Sequence, residues 1–214
     1  MAFQRARDDE QKLERINEIV RATIELYEKD GYDGVTFSRI GKQLSFSRIN
    51  LYNYFKSKED IFLLILRRDI EAMVKDADAT FKAAATDDES FLQAWAELLL
   101  RHQRMLTIFT VVNTIILRGA SEEAHIAFRS KMFEQFQRLR DVIRRALPQL
   151  SEAQAMMFLE YENSYAMTLF AASLEYKKSQ GIAVYPQAGY GTFNFVPQFM
   201  PFLRCLLSGV LQSK

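Results

Sequence analysis

Between Gly34 and Lys58 the chain carries five basic residues, Arg39, Lys42, Arg48, Lys56 and Lys58, and no acidic one. Acids stop at Asp33 and resume at Glu59. Residues 1–60 hold 11 Lys/Arg and 11 Asp/Glu, and the whole chain has a net charge of +1. Positive charge is thus gathered on one short segment of an otherwise balanced protein. With Phe46, Tyr52, Tyr54 and Phe55 interleaved, that segment suits contact with a polyanion such as nucleic-acid phosphate. Other chemistries are poorly supplied. There are two histidines, His102 and His125, and one cysteine, Cys205. They form no Ser-His-acid set and no metal-ligand spacing. Glu160 and Glu162 point about 200° apart around a helix and make no acid–base pair. The "GYG" at 189–191 follows no strand pattern and is no nucleotide loop. An enzyme, a metal site and a bound cofactor are not expected.

Helices must position these residues. Apolar residues recur at helical spacing nearly everywhere, and strict alternation never lasts, so the fold class is all-α. Leu13, Ile16, Ile19, Val20, Thr23, Leu26 and Tyr27 form one stripe, ended by the glycines and aspartates of "KDGYDG". Thr36 caps a short helix carrying Phe37, Ile40 and Leu44. Ser47 caps a second, running through Phe55. Ser57 with Asp60 makes a variant capping box that opens a long helix over 57–80. Further helices are expected over 88–118 (broken near Met105), 121–147, 151–179 and 197–212, with a loop over 180–197. The 49% hydrophobic content supports an ordered core, and no apolar span is long enough to cross a membrane. The charged N-terminus and single cysteine fit a cytoplasmic protein.

A long helix followed by two short ones joined by a tight turn makes a helix-turn-helix unit. At about 100° per residue, Leu51 and Phe55 fall on one side of the second short helix. Ile49 and Asn53 fall opposite, flanked by Asn50 and Tyr52. Leu51 and Phe55 pin the helix to its neighbours. The outward side offers amides for base edges, an aliphatic group for a thymine methyl and a phenol for phosphate.

The stretch over about residues 12–66 resembles the N-terminal domain of TetR-type transcriptional regulators. The points of match are the aliphatic helix ending in "DGY", Thr36 with Ile40, "LYNYF" at 51–55 and "KSKEDIF" at 56–62. Gly41 and "RIN" at 48–50 depart from the usual pattern, so no relative supplies the target sequence. The resemblance implies a DNA-binding domain over 1–57 and a ligand-binding and dimerisation bundle over 58–214. It implies that Thr36, Ser38 and Arg39 touch phosphates or groove edges, that Arg48, Ile49, Asn50 and Asn53 face bases, and that Tyr52, Tyr54 and Lys58 hold the backbone. Ser47 is counted with this set. The implied partners are a palindromic double-stranded operator, a second copy docked through the last two helices, and a small apolar or aromatic ligand.

The bundle itself is rich in Phe and Met. Candidate ligand-lining residues are Phe91, Trp95, Phe109, Asn113, Phe128, Met132, Phe136, Glu160, Asn163 and Met167. Among them Asn113, Glu160 and Asn163 stand out as polar groups inside apolar runs, where a buried polar atom needs a partner. The last helix is apolar around most of its circumference, which a partner subunit would cover. These features converge on a homodimeric repressor released from its operator by a ligand. The alternative is an all-α ligand-binding or scaffolding protein that binds no DNA, which leaves the acid-free segment without a purpose.

Overall fold

The computed structural model describes residues 2–44, 48–83, 87–179 and 194–213, with side chains described outside 2–8, 48, 113 and 175–179. Among them there are helices and turns and no strand. They form two compact units: Met1–Ile65 with Thr114–Phe128, and Leu66–Asn113 with Arg129–Lys214.

In the first unit, α1 (Ala2–Asp30) begins well before the expected stripe, and among its described side chains burial starts at Ile19. Ile19, Ala22, Thr23 and Leu26 are buried, whereas Leu13 is 55% exposed. Gly31 ends α1 with a positive φ of 71°, and its N–H bonds the Tyr27 carbonyl at 2.8 Å. This left-handed cap turns the chain at little steric cost only because Gly lacks a Cβ. Gly34 is needed for a different reason: a Cβ there would lie 2.8 Å from the Asp30 carbonyl oxygen.

The next helix, α2 (Phe37–Leu44), is capped by Thr36 Oγ1, which accepts the Arg39 N–H at 3.2 Å. It buries Phe37 and Ile40. The expected second short helix is curtailed: α3 covers only Arg48–Leu51. Beyond it the bonds tighten to the third residue back, from Tyr52, Asn53 and Tyr54 to the carbonyls of Ile49, Asn50 and Leu51. Leu51 (0% exposed) and Phe55 (8%) still anchor this turn from below.

In α4 (Lys58–Thr80), Ser57 accepts the Asp60 N–H at 3.2 Å, one half of the capping box. The Asp60 carboxylate does not close the box on the cap's own N–H. It accepts the Lys56 N–H at 3.1 Å, the Ser57 hydroxyl at 3.1 Å and the Ser121 N–H at 2.7 Å.

The second unit is built from α5 (Asp88–Arg101), α6 (Gln103–Val111), residues 129–146 of α8 (Glu122–Ala146), α9 (Glu152–Ser179) and α10 (Phe195–Gln212), with residues 66–80 of α4. The break expected near Met105 falls at His102, whose N–H bonds Leu98 and Leu99. After α6 comes a π-helical turn, Val112–Ile116, then α7 (Leu117–Gly119). The expected loop over 180–197 lies outside the described residues as far as 193, and α10 starts at Phe195.

Ion pairs brace α4 inside this unit. Arg104 grips Asp69 with two bonds of 2.8 and 2.6 Å, the paired geometry in which charged hydrogen bonds are strongest. Asp78 receives Arg138 and Arg145, each at 3.0 Å, and Arg145 also donates to the Phe81 carbonyl beyond the end of α4. Burial works to raise the Asp76 carboxyl, but bonds from His102 and Arg101 outweigh it and hold it below the usual range.

Candidate nucleic-acid interface

The turn that starts with α3 exposes its outer side to solvent. Ile49 is 77% exposed and Tyr52 48%, and Asn50 and Asn53 are exposed beside them. An isoleucine this exposed, on the same side as Asn50 and Asn53, contributes nothing to the core, and Asn is a poor helix former. Tyr54 is half-buried, so its ring serves packing as well as the surface. Ser47 and the side chain of Arg48 lie outside the described residues.

Beside this surface is an open cleft of about 530 Å³ lined by Val35, Thr36, Phe37, Ser38, Tyr52, Lys56, Ser57, Lys58 and Glu59. Its walls are the starts of α2 and α4. Both supply backbone N–H groups and the positive ends of helix dipoles, the arrangement that receives phosphate. The Tyr52 ring packs on Phe37 at 4.9 Å between centroids, which ties the reading turn to α2.

Two lysines reach this cleft, and each is held. Lys58 Nζ lies 3.9 Å over the Tyr32 ring and donates to the Tyr32 carbonyl at 3.1 Å. A cation at a helix N-terminus is unfavourable, and the ring and carbonyl offset that cost. Tyr32 donates its hydroxyl to Glu59 at 2.5 Å. Burial first, and the Glu59 carboxylate second, hold that hydroxyl protonated well above the usual phenol range. Lys56 is exposed and pairs with Glu123 at 2.7 Å.

Arg39 is engaged within the chain as well. Its guanidinium bonds Asp30 and the Gly34 carbonyl, bracing the turn between α1 and α2. Thr36 caps α2 through its hydroxyl, and Ser38 is exposed at the cleft. Lys56 was not among the residues expected from the sequence, although its place inside the acid-free segment was a signal.

Comparison with known proteins agrees with this geometry. Residues 19–65 match the model of "Bacterial regulatory proteins, tetR family", and residues 67–214 match "Tetracyclin repressor-like, C-terminal domain". The chain belongs to the TetR family. This is a family of helix-turn-helix transcriptional regulators and not of enzymes.

An HTH-type transcriptional regulator of Staphylococcus aureus (strain USA300) is 28% identical over 68 residues, 32% of this chain and 35% of that protein. The match thus spans about a third of the length of such curated relatives. Among solved structures, a TetR-family regulator from Mesorhizobium loti MAFF303099 has a TM-score of 0.57 at 13% identity, covering 92% of this chain and 97% of that one. The transcriptional regulator FadR from Bacillus subtilis, in complex with stearoyl-CoA, has a TM-score of 0.54 at 17% identity, covering 91% and 97%. These likenesses establish the fold.

Within the TetR-family C-terminal unit, two of the expected ligand-lining residues are brought into contact with each other, Phe91 and Trp95. Phe91 and Trp95 are fully buried in α5, in a cluster with Phe81 and Phe158. Phe128 is buried in the other unit. Phe109, Met132, Phe136, Asn163 and Met167 are half-buried, and the side chain of Asn113 lies outside the described residues. Glu160 is exposed. The buried carboxyl of α9 is instead Glu162, 1% exposed.

Glu162 Oε2 and Trp95 Nε1 are both buried and both lack a hydrogen-bond partner. Burial pushes the Glu162 carboxyl up to about 8, and the nearby indole N–H offsets part of this without completing a bond. Each such orphan costs roughly 1–3 kcal/mol. Periodicity did not single out Glu162, because α9 has apolar residues on every side.

Proposed function

We propose that this chain is a homodimeric, sequence-specific DNA-binding repressor whose C-terminal unit binds a small molecule that releases it from its operator. The observation that carries the DNA-binding part is the exposed Ile49, Asn50 and Asn53 surface beside the cleft of Thr36, Ser38, Tyr52, Lys56 and Lys58. Base-reading groups and phosphate-receiving groups then share one side of one unit. Ile49, Asn50 and Asn53, with Arg48, read base edges. Tyr52, Tyr54, Lys56 and Lys58 and the start of α2 take phosphates. Two copies would engage a palindrome with half-sites about 34–36 Å apart.

The dimer is supported by the outer side of α9 and α10. Tyr161 is 54% exposed and Tyr165 37%, and Phe202 stacks on Tyr165 at 4.0 Å. Gly209 leaves open space beside them. Apolar rings with a small residue among them suit close helix packing by a second copy. Ligand release follows the family pattern, as does the FadR structure's stearoyl-CoA complex. A ligand that favours the DNA-incompetent state lowers operator affinity by its differential affinity for the two states.

The test is binding to DNA flanking the chain's own gene, by fluorescence anisotropy across a salt series. Operator binding should exceed binding to random DNA and fall steeply with salt. Binding that ignores sequence, or that ignores salt, would overturn the reading.

A further inference from the structure

Among the described residues of the C-terminal unit, Glu162 is the one buried carboxyl, and nothing in DNA binding or dimerisation uses it. Burial and the Trp95 indole govern its ionisation, and no cation of the described chain contributes. Rings crowd around that indole. Trp95 stacks on Phe91 at 5.6 Å and meets Phe158 edge-on at 6.5 Å, and Phe81 lies 5.9 Å from Trp95. A lone acid, an unused N–H donor and several π faces are thus assembled at one place in an apolar core.

We propose that Glu162 and Trp95 form the polar end of an effector site that takes an apolar molecule carrying a basic nitrogen, an alkyl- or arylamine. This rests on the reading of the C-terminal unit as effector-binding and names the ligand class. The chemistry is self-consistent. A neutral amine reaching the site accepts the proton held by Glu162, giving an ammonium–carboxylate pair, so no net charge enters the core. The nitrogen then donates to the carboxylate. The ionised carboxylate becomes a strong acceptor for the Trp95 N–H, and the rings face the new cation. One proton transfer satisfies both orphaned atoms. A carboxylic or phosphoric acid head would instead meet an acid with no cation to balance it. An alcohol would fill one hydrogen bond and gain nothing from the rings.

Trp95 is the chain's only tryptophan, so its emission reports from the site itself. The probes are octylamine, 1-octanol and octanoate, titrated into the full-length chain below their aggregation concentrations. Octylamine should shift Trp95 emission saturably and bind about tenfold or more tighter than 1-octanol, with octanoate weakest. Glu162→Gln, which resembles the protonated acid in size, should retain 1-octanol binding and lose the preference for the amine. If that variant fails to fold, Trp95→Phe read by calorimetry should weaken octylamine while leaving 1-octanol unchanged. Equal affinity for amine and alcohol, tighter binding of octanoate, no saturable response to any probe, or an amine preference surviving both substitutions would overturn the proposal. No DNA is used, so the outcome is separate from operator recognition. Operator release by octanoate or 1-octanol but not by octylamine would sustain an effector-released repressor and sink this assignment.

Discussion

The Asp60 carboxylate accepts the backbone N–H of Ser121 at 2.7 Å, across 61 positions of sequence. The same carboxylate holds the Lys56 N–H and the Ser57 hydroxyl. It therefore joins the loop that carries Lys56 and Ser57 at the cleft to the start of α8. Asp60 is 7% exposed, so removing it strands the N–H groups it serves. Asp60→Ala should lower stability by about 2–4 kcal/mol, since each bond to a charged acceptor is worth roughly 1.5–3 kcal/mol before relaxation. Urea denaturation measures this. Operator affinity should fall in the same variant even where it is fully folded, as the cleft loses its shape.

Gly34 and Gly31 should respond differently to alanine. At Gly34 the new Cβ meets Asp30 Cβ at 2.4 Å and the Asp30 carbonyl oxygen at 2.8 Å, and backbone cannot yield cheaply. Gly34→Ala should cost about 1–3 kcal/mol. At Gly31 there is open space, and the only penalty is its φ of 71°. Gly31→Ala should cost about 1 kcal/mol. Thermal melts of the two variants should rank in that order.

Phosphate and base contacts should separate by salt. Lys58→Ala should weaken binding to operator and random DNA alike and reduce the slope of log K against log salt by about one. Asn53→Ala should cost operator binding about 1–3 kcal/mol, leave random DNA nearly unaffected and keep the salt slope. Anisotropy titrations at several salt concentrations distinguish the two patterns.

Glu162 should make stability fall as pH rises. Its carboxyl is pushed up to about 8 in the folded chain from an ordinary value of 4.5. Between those values the folded state holds a proton that the unfolded state has released. Its stabilising contribution is complete below about 4.5 and is lost progressively up to about 8, at no more than about 1.4 kcal/mol per pH unit. Glu162→Gln cannot titrate there. Relative to the parent chain, the variant should gain stability between pH 5.5 and pH 8, as read by urea midpoints at both values. A parallel pH response in the two proteins would refute this.

A side chain at Gly209 should tell whether a second copy covers α10. Nothing lies within 4 Å of a Cβ built there, and Gly209 is exposed, so the side chain of Gly209→Arg can leave the helix without a clash at its Cβ. Helix propensity even favours it by about 1 kcal/mol. If partner helices pack on this side, the variant should remain folded yet elute as a monomer by light-scattering chromatography. An unchanged dimer would move the interface elsewhere.

Much of this was legible in the residues alone. The all-α class, the helix-turn-helix order and the inward Leu51 and Phe55 against the outward Ile49 and Asn53 all follow from local periodicity. That relation holds whatever the helix packs against, so it survived even though α3 proper stops at Leu51. The acid-free segment likewise marked the cleft, since charge composition needs no fold to be counted.

Contacts between distant segments were not legible. No local signal tells that Asp60 would be claimed by Ser121, or that Arg39 would be engaged by Asp30 and the Gly34 carbonyl. Nor could it be foreseen that Glu162 rather than Glu160 would be buried: α9 is apolar on every side, so its neighbours decide which way each residue turns. Sequence by itself determined which residues belong to helices and, where one face was clearly apolar, which way they point, because both depend on interactions a few residues long. The tertiary structure decided which polar groups are engaged and which are left without partners, because that depends on segments tens of residues apart being brought together.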